Sequence, residues 1–391
     1  MEAFQLPALC LNPWISTAGM AMPEKEASST ENVTVKCESR YVTRRGLIRV
    51  VGAGTAMILG RPFAAAYEYR RADASWFAAC RFGISTHWTE QSQPVGADSW
   101  LPFDETVRNF SPAHYVDQVA GAGAEYVIFT ATHALQMLAA PCTAIDRVAP
   151  RRTTNRDMIG ELIDACHARR LRFILYYNHS CNGGDDPPWE HAVGYHEADK
   201  SKLVTNLMAI VRELGARYGS RLDAWWFDSC YSLDPRGYYN SVTTDMHGFQ
   251  FPWEKWTDAA KTGHPDRLVT LSSGMLTHFL YSTHQDYEAG ETNELIAVPT
   301  SQFTPDGLQA HRWICLDNPD WVHSKVKTPL APPRYRLDLV SDYVRTAHLS
   351  KVPVTFNVDI DRTGELSPQS LALLRQVKAA VARTHLDSAL P

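Results

Sequence analysis

The sequence predicts an α/β fold, a (β/α)8 TIM-like barrel that forms a single domain. Short segments that are apolar on both faces alternate with amphipathic segments, which is typical of parallel strands covered by helices. No glycine-rich dinucleotide or phosphate-binding motif follows any of these strands, which disfavours an open nucleotide-binding sheet. Residues 67–391 also have the length of one decorated barrel.

The predicted strands are short and rich in β-branched and aromatic residues. They cover residues 81–86, 125–131, 171–177, 223–228, 267–272, 312–316 and 352–358. Helices are predicted at residues 113–122, 156–170, 200–218, 336–349 and 367–383. In the helix at 200–218, leucine, isoleucine and valine recur at helical spacing and give one apolar stripe.

Residues 1–66 are predicted to be an N-terminal extension that carries an export signal. Arg44 and Arg45 precede a short apolar run at residues 50–60, and three alanines end at Ala66. This order is typical of a signal peptide, and the paired arginines resemble the twin-arginine type. We therefore expect a periplasmic or secreted mature protein that begins near Tyr67. A buried N-terminal helix that happens to follow two arginines is the alternative.

The composition argues against nucleic acid as a partner, and against any membrane contact beyond export. The formal net charge is −5, so the chain lacks the basic balance that attracts phosphate or anionic lipid. Six cysteines follow residue 66 and are spread singly, without the paired spacing of a zinc or iron–sulfur site. We expect no metal and no cofactor, and the spacing does not determine any disulfide pairing.

Four consecutive predicted strands end in polar or aromatic side chains. In a barrel, the side chains that carry chemistry come from these carboxyl ends. Asp228 closes an apolar run, so it is expected to be rigid and partly desolvated, as a nucleophile or general base must be. A helix cap is the other interpretation of this aspartate. The side chains are His87 and Trp88, then His133, then Tyr177, then Trp226 and Asp228.

Several of these segments resemble motifs of the α-L-fucosidases of glycoside hydrolase family 29. Residues 81–88, RFGISTHW, are similar to the family's KFGIFIHWG, and residues 156–177 are similar to its RDLVGELVEACRKRGLKFGLYYS. Residues 226–228, WFD, match the WFDG that carries the family's nucleophile. Residues 356–358 with Gly364 look like LLNVGPxxDGxIP. The similarity runs from about Trp76 to Ala382.

The resemblance implies a retaining exo-glycosidase that removes a terminal α-L-fucosyl or similar deoxy-sugar residue from a glycan or glycoside. Asp228 would attack the anomeric carbon, and a second carboxyl about 5–5.5 Å away would protonate the leaving oxygen. The sugar subsite would be lined by His87, Trp88, His133, Tyr177 and Trp226. Residues 286–294 form an acidic loop similar to the family's DYxxPE, which ranks Glu291 first and Glu288 second as the acid.

Three departures from the family pattern bear on the specificity for the sugar more than on the barrel fold. The family's KHHDGF reads ATHALQ at residues 131–136, so Thr132 replaces one of two adjacent sugar-binding histidines. Ser229 replaces the glycine after the nucleophile, and Thr89 the glycine after His-Trp. We also expect no C-terminal β-sandwich. A changed hydroxyl contact alters sugar specificity strongly, because unpaired buried polar groups are costly.

Other functions stay open from the sequence. The first alternative is a glycosidase on the same barrel that acts on a different sugar, and the second is a secreted protein that binds carbohydrate without turnover after loss of the acid. A metal enzyme is the third alternative, because four potential ligands cluster after the third strand. Their spacing fits no standard zinc helix. These residues are His191, His196, Glu197 and Asp199.

Overall fold

A computed structural model of the chain describes residues 69–95, 102–234, 246–296 and 298–387, with side chains as far as residue 382. The chain divides into two units, Met1–Ala65 and Ala66–Pro391, and all described residues lie in the second. The export signal therefore lies outside the described residues and stays a prediction. Among the described helices, none is long and apolar enough to cross a membrane.

Eight parallel strands form one sheet. They are β1 Phe82–Thr86, β2 Tyr126–Thr132, β3 Arg172–Asn178, β4 Ala224–Asp228, β5 Leu268–Leu271, β6 Glu291–Asn293, β7 Arg312–Cys315 and β8 Val354–Asn357. The strand order is β5-β4-β3-β2-β1-β8-β7-β6. Apart from β5 and β6, which end the sheet, strands that follow one another in the chain lie side by side, and β1 lies beside β8, which is the circular order of an eight-stranded barrel. The predicted TIM-like barrel is confirmed.

Helices follow the strands and cover the outside of the sheet. They are α1 Ser75–Ala78, α2 Phe103–Asn109, α3 Pro112–Ala122, α4 Thr143–Val148, α5 Met158–Ala168, α6 Pro187–Val193, α7 Ser201–Tyr218, α8 Cys230–Leu233, α9 Trp253–Ala260, α10 Leu337–Leu349 and α11 Pro368–Asp387. Local chemistry sets their starts, because the side chains of Ser111 and Asp157 accept from the first backbone amides of α3 and α5. In α7 the predicted apolar stripe is buried.

Residues 286–288 connect the edge of β5 to the segment just before β7. The amide of Asp286 donates to the carbonyl of Val269 at 2.8 Å, and the Asp286 carboxylate accepts from the Val269 amide at 2.9 Å. The amide of Glu288 then donates to the carbonyl of Gln309 at 2.9 Å, just before β7.

The sequence predicts a loop for residues 286–294, and this prediction is wrong for Glu291–Asn293, which form β6. Only three residues pair there, and they are polar, so no apolar pattern marks the strand.

Side chains of the strands divide into an inner and an outer layer, because successive residues point to opposite faces. In β3, Tyr176 belongs to the layer inside the barrel and Tyr177 to the core between sheet and helices. In β4, Trp226 points inward and Phe227 outward in the same way. β3 and β4 are in register, with Asn178 opposite Asp228. The inward residues of neighbouring strands therefore meet at the carboxyl end of the barrel.

Candidate active site

The carboxyl ends of the strands enclose a pocket with aromatic and imidazole walls. The ring of His87 lies 5.1 Å from that of His133 and 5.2 Å from that of Tyr176. Tyr176 stacks on Trp226 at 5.2 Å with an interplanar angle of 9°, and Trp313 meets Trp226 edge-on at 4.3 Å. Aromatic surfaces of this kind suit the apolar faces of a ring-shaped ligand, while the imidazoles supply polar contacts.

Asp228 is held at the bottom of this pocket by two donors. The Tyr176 hydroxyl donates to its Oδ2 at 2.5 Å, and Asn178 Nδ2 donates to the same oxygen at 3.0 Å. Bonds of this kind favour the ionised carboxylate. Among the described residues, the bonds that this carboxylate accepts all reach Oδ2, so Oδ1 is left for a ligand.

The hydrogen bonds also orient both histidines. Tyr176 gives its proton to Asp228, so it accepts from Nδ1 of His133, 2.8 Å away. Nδ1 of His87 lies 2.9 Å from Oδ1 of Asn357 and is the donor of that pair. Each ring therefore keeps Nε2 as an acceptor, a tautomer inferred from the network. Burial and the neighbouring His133 lower the pKa of His87 to about 3, and burial lowers that of His133. Both rings are neutral near pH 7.

Glu291 contributes a second carboxyl with the opposite electrostatic environment. It begins β6, and burial together with the charge of Asp228 raises the pKa of Glu291 to about 8. The hydroxyl of Ser272, 3.4 Å from its Oε2, opposes that shift weakly. Glu291 therefore keeps its proton near neutral pH, while the Asp228 side chain accepts the hydrogen bonds of Tyr176 and Asn178. Two carboxyls in unlike environments are what acid–base chemistry at one centre requires.

Glu288, the second candidate for the acid, lies outside this pocket. Its Oε2 accepts from Nη1 of Arg312 at 2.7 Å, at the amino end of β7. His278 lies 3.7 Å from its other oxygen. Because the carboxylate is engaged by Arg312 at the start of a strand, Glu288 is turned away from the carboxyl face where Asp228 lies.

Two predicted sugar-contacting residues, Trp88 and Tyr177, face the outer core instead. Trp88 packs on Phe110 at 5.1 Å, and its Nε1 donates to the carbonyl of Arg362. Tyr177 packs against Trp256. The prediction that these two side chains line the pocket is wrong, because strand alternation turns each one away from its inward neighbour. His87, His133 and Trp226 do lie in the pocket.

The structure explains two of the departures from the family pattern, Thr132 and Ser229. The hydroxyl of Thr132 donates to the carbonyl of Asn178 at 2.6 Å, so it is used within the barrel wall. Ser229 has φ of 57°, in the left-handed region that a glycine would occupy most easily. It is kept there by Asn178 Nδ2 at 3.0 Å from its hydroxyl and by His179 Nε2 at 2.9 Å from its carbonyl.

The structure adds residues that the sequence analysis did not select. Tyr176 and Asn178 bind Asp228, and Asn357 orients His87. Trp313 forms a wall, and its Nε1 donates to Ser85 at 2.5 Å. The loop after β7 adds Trp321, whose ring lies 5.1 Å from that of His87. Given the register, alternation from Asp228 and Trp226 would have selected Tyr176 as a third inward residue; no sequence signal marks Trp321.

Of the four potential metal ligands after β3, only His191 and His196 lie together, with ring centroids 4.6 Å apart. Glu197 pairs with Lys202, and Asp199 accepts from the amide and hydroxyl of Ser201. His196 lies 3.3 Å from Glu190. Within the described ranges, no group of three or more histidine, cysteine, aspartate or glutamate side chains is placed to hold a metal ion.

Fold and pocket together define the class of the protein. It is a parallel (β/α) barrel with two buried carboxyls of unlike environment at the carboxyl ends of its strands, the face where such barrels carry their active sites. The model of the α-L-fucosidase family matches residues 104–313, more than half of the 391 residues. The chain belongs to the α-L-fucosidase family, and the predicted resemblance is confirmed.

Individual relatives are distant. The chain is 26% identical over 137 residues to the tissue α-L-fucosidase of Rattus norvegicus, which covers 26% of this chain and only 29% of the rat protein. Among solved structures, α-L-fucosidase isoenzyme 1 from Paenibacillus thiaminolyticus has a TM-score of 0.57 at 20% identity, over 81% of this chain and 76% of that one. An α-L-fucosidase from Lactobacillus casei, in complex with its α-L-fucose product, has a TM-score of 0.53 at 16% identity. That similarity covers 80% of this chain and all of the other, and at these identities it shows the fold.

Proposed function

We propose that the protein is a retaining exo-glycosidase that hydrolyses a terminal α-L-fucosyl residue, or a similar deoxy-sugar residue, from a glycan or glycoside. One observation carries the proposal: Asp228 accepts two hydrogen bonds in an aromatic pocket, and burial together with the charge of Asp228 raises the pKa of Glu291 to about 8. Retaining glycosidases need this division between a nucleophile and an acid. A family model of the same activity supports the choice of reaction.

In the first step, Oδ1 of Asp228 attacks the anomeric carbon while the bond from that carbon to the glycosidic oxygen breaks. Glu291 gives its proton to that oxygen, so the aglycone leaves as an alcohol and a glycosyl ester stays on Asp228. In the second step, Glu291 takes a proton from water, which attacks the same carbon and breaks the ester. Two inversions restore the starting configuration.

The neutral histidines support the choice of a sugar ring as the ligand. Nε2 of His87 and of His133 would accept from hydroxyls without adding positive charge beside the nucleophile. The choice of fucose comes from the family model and from a neighbour that holds α-L-fucose. Thr132, whose hydroxyl is used within the wall, leaves one histidine contact of the family unmatched. A glycosidase acting on another deoxy- or galacto-configured sugar is therefore the second candidate.

The test is hydrolysis of 4-nitrophenyl glycosides by residues 67–391, with α-L-fucoside, α- and β-galactoside and α-L-rhamnoside compared. We expect release from the fucoside, and NMR of the first sugar formed should show the α-anomer. Asp228→Ala should abolish turnover, and azide should partly restore it. Full activity of Asp228→Ala would exclude the nucleophile. Release from another glycoside would change the sugar alone, whereas binding without turnover of any glycoside would favour a carbohydrate-binding protein.

We also propose that the protein is exported, to the periplasm or out of the cell, by a twin-arginine-type signal. The support is the order of Arg44, Arg45, the apolar run at 50–60 and the alanines ending at Ala66. N-terminal sequencing of the exported form should begin near Tyr67. Replacing both arginines by lysine should keep the protein inside the cell, and unchanged export would contradict this signal type.

A further inference from the structure

Trp321 reaches the pocket from a strained backbone position. It lies on the loop after β7, with its ring 5.1 Å from that of His87 and 5.5 Å from that of Trp313. Its φ is 66°, in the left-handed region that bulky side chains rarely adopt. Such a conformation persists only where the surroundings determine it, and it is concentrated at functional sites. The question is what keeps this tryptophan in place.

Hydrogen bonds fix the loop on both sides of Trp321. Before it, the carbonyl of Asn318 accepts from the Trp321 amide at 3.3 Å, and Asn318 Nδ2 reaches the carbonyl of Val322 at 3.2 Å. At the tryptophan itself, the carbonyl accepts from Asn357 Nδ2 at 3.4 Å. After it, the carbonyl of His323 accepts from the amide of Gln93 at 2.7 Å.

The carboxylate of Asp359 accepts hydrogen bonds from residues on both sides of Trp321. The residue follows β8 and is 1% exposed, and its carboxylate accepts from Nδ1 of His323 at 3.1 Å, from Asn318 Nδ2 at 3.1 Å and from the amide of Ala331 at 2.9 Å. These partners span both sides of the tryptophan. His323 is 4% exposed, so the pair is shielded from solvent. Shielded, charge-assisted bonds are stronger than those at the surface.

Asp359 is in turn held by hydrogen bonds to its backbone. Its backbone amide donates to both oxygens of Asp317, at 2.9 and 3.1 Å, and Asp317 also accepts from the hydroxyl of Ser370 at 2.7 Å. Ser370 lies in α11 and Asp317 follows β7. The hydrogen bonds that hold the loop therefore extend to the end of β7 and to α11.

We propose that His323 and Asp359 are positioning residues that hold Trp321 in its strained conformation, so that its ring forms a wall of the sugar pocket. The proposal rests on the proposed function for the identity of the ligand but not for the order of the loop. His323 does not touch the substrate. It acts through Trp321, so its loss should weaken substrate binding more than it slows the chemical steps.

The experiment compares His323→Ala, His323→Asn, Trp321→Leu and the double variant His323→Ala/Trp321→Leu in the chain of residues 67–391. His167→Ala is the matched control, because His167 also pairs with a buried aspartate, Asp223, at 3.3 Å but lies in the last turn of α5, far along the chain from the loop. KM and kcat are measured with 4-nitrophenyl α-L-fucopyranoside. Hydrogen exchange of peptides covering residues 317–324 is measured without substrate.

We expect His323→Ala to raise KM about tenfold, the effect of losing one charge-assisted bond, while kcat changes less than about threefold. The same change should add almost nothing in the Trp321→Leu background, because coupled residues are not additive. Asn can donate from nearly the position of Nδ1, so His323→Asn should restore most of the affinity. Exchange at 317–324 should rise in His323→Ala and stay at the parent level in His167→Ala.

Additive effects of His323→Ala and Trp321→Leu, or exchange at 317–324 no faster than in His167→Ala, would overturn the proposal. If His323→Ala does not fold, His323→Asn carries the test: a KM and an exchange rate near those of the parent are the expected rescue, and loss of slow exchange at 317–324 in folded His323→Asn would overturn the proposal. If the parent hydrolyses no fucoside, the proposed function fails, while faster loop exchange in His323→Ala would still support the positioning role.

Discussion

The Tyr176 hydroxyl donates to Asp228 at 2.5 Å while it accepts from His133, so one phenol joins an imidazole to the proposed nucleophile. Burial and the adjacent carboxylate raise the pKa of Tyr176 well above its usual value, which keeps the proton on the phenol. Tyr176→Phe removes the bond to Asp228 and the acceptor for His133. We expect kcat/KM for 4-nitrophenyl α-L-fucopyranoside to fall roughly 10- to 100-fold, the range for losing a bond to a charged group.

The adjacent Tyr177 provides the control for this substitution. Its ring lies in the outer core near Trp256, and its hydroxyl has the Gln136 side chain beside it but makes no hydrogen bond of normal geometry among the described residues. Removing a hydroxyl that makes no such bond is expected to be neutral or slightly stabilising. Tyr177→Phe should therefore keep the parent kcat/KM. Equal losses in the two variants would show that the effect comes from packing of the strand and not from the bond to Asp228.

These two tyrosines also show what the sequence could predict. The strand, its polarity and its place before Asp228 follow from local pattern and from the resemblance, but the choice between adjacent side chains depends on register. Asn178 pairs with Asp228 and Tyr176 with Trp226, and only this alignment puts Tyr176 inside. Register arises from the whole barrel, so the prediction of Tyr177 in place of Tyr176 as a pocket residue is wrong.

Long-range assembly explains the other differences. Trp321 enters the pocket from a loop whose conformation is fixed by Asp359, 38 positions further along the chain. No periodic pattern describes such a loop. β6 is three polar residues that pair only because β7 lies beside them. In contrast, Asp228 ends an apolar run, and this local signal was sufficient to select it.

The protonated Glu291 predicts a fall in activity at alkaline pH. The pKa of this carboxyl is raised to about 8 by burial and by the charge of Asp228. The first step needs the proton, so kcat/KM should decrease as pH rises through about 8. Glu291→Gln should remove this decrease because the amide does not titrate. The rate with an aryl fucoside should fall by roughly 100- to 10,000-fold, the usual contribution of general acid–base catalysis.

Glu288→Gln tests whether this pH dependence belongs to Glu291. Glu288 lies on Arg312 and outside the pocket, so its neutral variant should keep the alkaline decrease and most of kcat. The measurement is kcat/KM between pH 5 and about 10 for the parent and both variants. Loss of the alkaline decrease in Glu288→Gln, with its retention in Glu291→Gln, would assign the acid to the other glutamate.

Arg267 predicts a separation of stability from activity. It is fully buried before β5, and its guanidinium donates to five backbone carbonyls at the ends of α7 and α9 and near the start of β4. The last carbonyls of a helix have no partner within the helix. Arg267 is the donor for the carbonyls of Leu222 and Thr262, and it adds a second bond to the other three, which also accept from Trp225 or from backbone amides. The carbonyls belong to Gly215, Gly219, Leu222, Ala260 and Thr262.

Arg267→Met should therefore lower the free energy of unfolding by about 3 kcal/mol or more, because five charge-assisted bonds are lost together and two of the acceptors lose their donor. Urea unfolding followed by tryptophan fluorescence measures the change. The kcat of the folded protein should stay near that of the parent, because Arg267 lies at the amino end of β5, opposite the face that carries Asp228.

Arg221→Met is the control for this substitution. Arg221 forms a solvent-exposed pair with Asp164, and its loss should change the stability by less than about 1 kcal/mol. Equal stability losses in the two variants would contradict a special role of the buried guanidinium, and a large fall in kcat of folded Arg267→Met would show that the amino end of the barrel controls the geometry at Asp228.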